Sequence, residues 1–190
     1  VRARFAGKSG AGFKMVTTSG ANTGYLLNGC TVDFAGMFGF HFTGTAGHTY
    51  CHLNNCHADF IGQDDNKNTI PENIGLAYAY SINDVRTFNL TACGAEFSNA
   101  AFVGNNCRSL SIDGLFTLGM GHSDGSTEID NDIKFTGFFE QINLNNFENR
   151  SPKAGGFDTI VALENPSQFN VNKLVLDDSI SPSSVRYDGG

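Results

Sequence analysis

Apolar and polar positions alternate along most of this chain. FGFHFTG (38–44), AFVGNN (101–106) and LSIDGLF (110–116) each put large apolar side chains on one side of an extended backbone and polar ones on the other. Few stretches offer the i, i+3, i+4 apolar spacing of an amphipathic helix. The pattern predicts many short, half-buried strands joined by tight turns, an almost pure β chain.

A longer repeat lies over the alternation. LNGCTVDF (27–34), LNNCHADF (53–60) and LTACGAEF (90–97) are one phrase written three times. A degenerate fourth copy puts Ile112 and Leu115 at its Leu and Cys positions. Weaker fifth and sixth copies put Leu144 with Phe147 and Val171 with Leu174 there. Successive copies are 26, 37, 22, 32 and 27 residues apart. The shortest interval suits one turn of a parallel β-helix, and the longer ones carry loops at the bends. Polar GQDDNKNTIPENIG (62–75) falls in the 37-residue interval and GHSDGSTEIDND (121–132) in the 32-residue one. A single-stranded parallel β-helix is therefore predicted over residues 1–176. A β-sandwich also has many short strands, but it predicts hairpins and no recurring phrase.

Stacked turns place equivalent residues ~4.8 Å apart, so Cys lies over Cys and Phe over Phe. Asn28, Asn54 and Asn145 would form amide ladders at the bends. With Cys30, Val32 and Phe34 facing the core, Thr31 and Asp33 face outward, and by register so do His57, Asp59, Gly94 and Glu96. Asp33, Asp59 and Glu96 then form an exposed column of carboxylates, neighbours ~5 Å apart and outer members ~10 Å apart. Like charges this close raise one another's pKa and invite a proton, a cation or a substrate into the site. Such spacings suit glycoside hydrolysis, where a retaining pair stands ~5–5.5 Å apart and an inverting pair ~6.5–9.5 Å. His57 flanks the column as a base or a hydrogen-bond partner. An acidic column is also what a plain solvated face of a solenoid looks like.

Other candidates surround it. Asp64, Asp65 and Glu72 stand in the first insertion and could touch a ligand. DGSTEIDND (124–132) has the carboxylate density of a Ca²⁺ loop without the EF-hand order. Arg86 and Arg108 could neutralise a uronic acid, or form structural ion pairs. Tyr25, Tyr50, Tyr78 and Tyr80 could stack on sugar rings, although at least half belong in a core. His41, His48, His52 and His122 lack ligand spacing and read as ordinary histidines.

Composition narrows the field. The chain has 23 Gly, 17 Phe and no Trp, which suits tight turns and an aromatic interior. A net charge of -7 disfavours nucleic acid and anionic membranes as partners. No run approaches the ~18 apolar residues of a membrane span. The 5 cysteines, Cys30, Cys51, Cys56, Cys93 and Cys107, cannot all pair with one another, show no C-x-x-C, and read as buried free thiols in a protein folded under reducing conditions. No motif calls for a metal or a cofactor. Beginning at Val1 and ending in Asp188-Gly189-Gly190, the chain reads as a segment of something longer, with residues 177–190 leaving the helix toward a further domain.

The coil spacing, the columns Cys30/Cys56/Cys93 and Phe34/Phe60/Phe97, and the Asn/Gly-rich bends resemble the right-handed parallel β-helix of the pectin-lyase-like group, most of all bacteriophage tailspikes. That resemblance implies a homotrimer in a virion tail, assembled in host cytoplasm, that binds and cleaves bacterial capsule or O-antigen polysaccharide. It also implies carboxylates on the helix surface or between subunits as the catalytic groups, similar to Asp33, Asp59 and Glu96. The Ca²⁺-binding Asp cluster and catalytic Arg of secreted lyases are not evident. Hydrolysis is favoured over elimination, which would need His57 or Lys67 as base and Arg86 as neutraliser. Alternatives are a non-catalytic receptor-binding or shaft segment of a tail fibre and, further off, an adhesin passenger.

Overall fold

The computed structural model describes residues 1–4, 7–17, 24–44, 48–120, 129–150, 157–163, 169–176 and 185–187. Its strands join in one wrapped sheet in which every strand-to-strand pairing is parallel. The chain is a single-stranded parallel β-helix with three faces. One face holds β1 (Arg2–Arg4), β4 (Thr31–Asp33), β7 (His57–Asp59), β9 (Gly94–Glu96) and β11 (Phe116–Leu118). A second holds β3 (Tyr25–Asn28), β6 (His48–Asn54) and the later halves of β8 (Tyr78–Thr91) and β10 (Ala100–Asp113). The third holds β2 (Ala11–Thr17), β5 (Phe38–Gly44) and the early halves of β8 and β10. The long β12 (Ile129–Arg150) visits all three faces, and β13 (Phe157–Leu163), β14 (Phe169–Leu176) and β15 (Val185–Tyr187) stack on it or on one another.

The six copies of the repeat coincide in space. Leu27, Leu53, Leu90, Ile112, Leu144 and Val171 are register partners from rung to rung. Cys30, Cys56, Cys93 and Leu115 follow, each carbonyl accepting from the next turn's backbone at 2.9–3.0 Å. All five cysteines are free and buried, and burial pushes the Cys51 and Cys107 thiols up to about 12. Apolar strand faces thus meet as one core, filled from Cys30 to Phe147.

Three columns of left-handed residues turn the corners. Gly29, Asn55, Ala92, Gly114 and Asn146 precede the Cys position; Phe34, Phe60, Phe97 and Gly119 follow the acidic one; Asp84, Asn106 and Gly137 bend the long strands. The phenylalanine column therefore departs from the expected inward face. A positive φ swings each ring off the strand's alternation, so it stacks at the corner, with Phe34 buried, Phe60 half-buried and Phe97 37% exposed. The asparagine ladder forms where two amides adjoin: Asn54 Nδ2 donates to Asn28 Oδ1 at 3.2 Å. Thr91 and Asp113 occupy the rungs between Asn54 and Asn145 and interrupt it.

Residues 129–132, expected in the second loop, belong to β12, because Ile129 and Asn131 pair with Phe157 and Thr159. Residues 121–128, which carry most of the Ca²⁺-loop reading, lie outside the described residues, as does His122. Within 177–190 only Val185–Tyr187 is described, paired with β13. No helix among the described residues is long and apolar enough to cross a membrane.

Candidate functional site

β7 and β9 lie side by side with His57 opposite Gly94 and Asp59 opposite Glu96. Residues two apart on a strand share a face, so His57 and Asp59 project together from β7. A Cβ at position 94 would come within 2.7 Å of the imidazole; the missing side chain of Gly94 is the space the His57 ring occupies. There His57 Nε2 reaches Asp59 Oδ1 at 2.8 Å and Glu96 Oε1 at 3.6 Å. Tyr80 supports the same two turns from inside, its hydroxyl 2.6 Å from the Gly94 carbonyl and 2.9 Å from that of Cys56.

The electrostatics follow from this geometry. Asp59 raises the His57 pKa most; burial opposes the rise, and the charges of Asp59, Glu96 and Asp33 add to it. Asp59 Oδ1 is shielded from solvent and, despite the nearby imidazole, receives no well-aligned hydrogen bond. His57, Asp59 and Glu96 each offer one donor atom, all within 4.8 Å of one another, so the trio also has the spacing of a cation's ligand set. All three side chains are partly solvent-exposed.

Asp33 shares their register but not their freedom. It lies opposite Asp59, yet it is only 8% exposed and is ion-paired with Arg2. The cause is an extra rung: β1 pairs with β4, and the Arg2 guanidinium closes over the carboxylate. The expected exposed trio is therefore an exposed pair, Asp59 and Glu96, with a neutralised third member. The sequence held a sign of this. VRARF (1–5) aligns with CTVDF, CHADF and CGAEF, a further copy with arginine at the acidic position.

Beside the carboxylates runs the aromatic corner. Phe34 and Phe60 stack at 4.7 Å, Phe60 and Phe97 at 5.5 Å, and Lys67 Nζ sits 4.7 Å over the Phe60 ring. Gly119 ends the stack: a Cβ there would meet the Phe97 ring at 2.7 Å.

The first insertion folds back on this corner. Gln63 pairs with Thr69, Gln63 Nε2 donates to the Phe97 carbonyl, and Asn73 Nδ2 donates to the carbonyls of Lys8 and Gly36. Asp64 accepts from the Asn66 and Asn68 amides, both at 2.9 Å, and those to Asn68 hold its carboxyl below the usual range. Glu72, lowered likewise, pairs with Lys8 at 3.2 Å. Asp65 is exposed.

The remaining candidates separate. Tyr78 is buried between Phe38 and Ala100 on neighbouring rungs, so its ring offers no platform to a sugar. Tyr25 packs on Phe42, and exposed Tyr50 accepts from Asn89 at 3.3 Å. His41 stacks on Phe38 and contacts Ser81 Oγ at 3.0 Å; burial and then Lys14 lower its pKa to about 4. His52 Nε2 lies 3.3 Å from Thr91 Oγ1. Arg86 and Arg108 stand together past the Asp84 corner, away from β7 and β9, and line a groove with Phe138 and Asn106. Sequence reasoning named both arginines but not Phe138 or Asn106, whose meeting requires the turns to be stacked.

Fold and cluster together define a parallel β-helix that presents a histidine between two carboxylates on one open face. No family model, curated protein or solved structure matches the chain.

Proposed function

We propose that this β-helix binds and cleaves a bacterial surface polysaccharide in the manner of a phage tailspike, by glycoside hydrolysis at Asp59 and Glu96. One observation carries the reading: two half-exposed carboxylates on adjacent rungs, with donor oxygens within 4.8 Å, share one protonatable histidine. Oxygens this close approach the short separation, ~5–5.5 Å, at which one carboxylate attacks the anomeric carbon while the other protonates the leaving oxygen. Asp59, fixed by His57 at 2.8 Å, is the nucleophile, and Glu96, held more loosely at 3.6 Å, delivers and then withdraws the proton. When protonated, the His57 ring supplies positive charge beside both. Elimination is less well supported, because Arg86, the neutraliser it would need, faces a different groove.

Capsular and O-antigen polysaccharides incubated with the protein in its native assembly test this reading through product mass. Hydrolysis adds one water per cut and creates no ultraviolet-absorbing double bond. Asp59→Asn and Glu96→Gln should each slow cleavage by ~10²–10⁴-fold, the usual worth of a positioned acid or base. Unchanged cleavage in both variants would remove these residues from the chemistry.

A second reading, binding without cleavage, draws on the closed Arg2–Asp33 pair, which makes part of the column self-neutralised and structural. In that case the same variants leave host attachment and polysaccharide length unchanged.

A further inference from the structure

The corner formed by Asp84, Asn106 and Gly137 carries a second site, built differently from the carboxylate face. Register places Arg108 directly beside Arg86, since Cys107 and Ser109 pair with Val85 and Thr87; on the next rung Cys107 and Ser109 pair with Phe139 and Gln141, which puts Glu140 beside Arg108. The two arginines therefore leave the backbone one strand spacing apart, ~4.8 Å, on adjacent rungs where like charges disfavour each other. Glu140 offsets this only loosely, at 3.8 Å from Arg108 Nε, and Arg86 has no ion-pair partner among the described residues. Arg86, Arg108 and Glu140 are all exposed.

The floor and wall of the groove are fixed. Asn106 Oδ1 accepts from the Phe138 backbone at 3.0 Å, and its amide donates to Asp84 Oδ1 at 3.3 Å, which occupies that acid. Gly137 allows the close turn, since a Cβ there would meet the Asn105 and Asn106 side-chain oxygens at 2.5 Å. The Phe138 ring is thereby held out at 52% exposure, among the most exposed large apolar side chains described. Asp84, Val85, Arg86, Asn106, Arg108 and Phe138 border an open groove of about 270 Å³, just below the usual size of ligand pockets.

We propose that this groove is a subsite for a carboxylate-bearing sugar, a uronate unit of an acidic glycan. The carboxylate bridges Arg86 and Arg108, matching a planar acid to two planar forks. The pyranose ring lies against Phe138, an apolar platform with a polar edge. The arrangement assigns the substrate class left open by the cleavage reading, on which it rests: an acidic polysaccharide held at one corner and cut at another face. It also explains how a chain of net charge -7 receives an anionic polymer, by local cations at the point of contact.

Calorimetric titration with a galacturonate hexamer, a maltohexaose and a sulfated hexasaccharide tests the assignment. The uronate should bind at least tenfold tighter than the neutral sugar. Arg86→Gln, Arg108→Gln and Phe138→Ala should each lose about tenfold, while Lys14→Gln, a charge change elsewhere, loses nothing. The arginines are exposed, so an unchanged unfolding midpoint shows that the variants remain folded. The double variant Asp59→Asn/Glu96→Gln should keep uronate binding, which separates failure of this subsite from failure of the cleavage reading. Equal binding of uronate and maltohexaose, equal binding of the sulfated sugar, or arginine variants that bind like the parent would overturn the proposal.

Discussion

At the residue scale, His57 gives the site its character, and its position depends on a side chain that is absent. Gly94 opens the space, Asp59 fixes Nε2, and Glu96 completes the contact. Because the folded pKa of His57 is raised above the ordinary 6.5, the folded state holds that proton more tightly than the unfolded chain. The stability this supplies is fully present below the unfolded value and is lost as pH rises through the folded one. His41 works in the other window: lowered to about 4, it costs stability as pH falls from 6.5 toward that value. Thermal unfolding followed upward from pH 6.5 therefore stays clear of the His41 window, and contributions from the buried thiols are common to parent and variant. The parent should lose midpoint relative to His57→Gln over that range, and parallel curves would contradict the assignment. The roles of His57, Asp59 and Glu96 as one outward set were legible in the sequence, because a strand's alternation fixes which residues share a face. The withdrawal of Asp33 left only a faint trace there, the phrase VRARF, because it depends on Arg2, whose rung matches the repeat only at Ala3 and the flanking residues.

At the scale of elements, the corners decide which predictions hold. The Leu column sits within strands, and the Cys column sits at the entry to β4, β7 and β9, in step with the alternation that follows, so both were read correctly from letters alone. The phenylalanines sit one residue later, at positive φ of 50–59°, a conformation that costs an aromatic residue ~1–3 kcal/mol and that no propensity scale suggests for it. The stack compensates: each ring pair contributes ~0.5–1.5 kcal/mol beyond its buried area. Phe60 belongs to two such pairs, at 4.7 and 5.5 Å. Phe60→Gly would relieve the backbone and lose both contacts together with buried ring area, for a net loss on the order of 1–3 kcal/mol. Denaturant unfolding measures it, and a neutral or stabilising result would mean that the stack is incidental. Gly119 shows the alternative solution to the same corner, an unstrained left-handed residue with no ring.

At the scale of the whole molecule, function is a property of columns. Residues 37 apart in the chain, Asp59 and Glu96, become neighbours because a 16-residue excursion from Gly62 to Ala77 returns the strand to register. The same stacking assembles Arg86, Arg108, Asn106 and Phe138 into a groove on another corner. Inserted loops leave these columns intact, since only the spacing between phrases changes, and for that reason unequal intervals still announced a solenoid. What the letters could not convey was which corner each outward residue would face, because three faces of similar pattern differ only in how many bends precede them.

The stacking itself is open to direct measurement on the column Asn28, Asn54, Thr91, Asp113, Asn145 and Asn172. Spin labels introduced in pairs from position 28 to 113, 145 and 172 should give distances that climb by one strand spacing per rung, ~14, ~19 and ~24 Å at ~4.8 Å each. The native thiols, buried in the core, do not compete for label. A steady climb is the result expected of successive turns in vertical register. Distances that repeat, reverse or scatter would mean that the turns are not stacked, and the paired carboxylates and the arginine groove would dissolve with them.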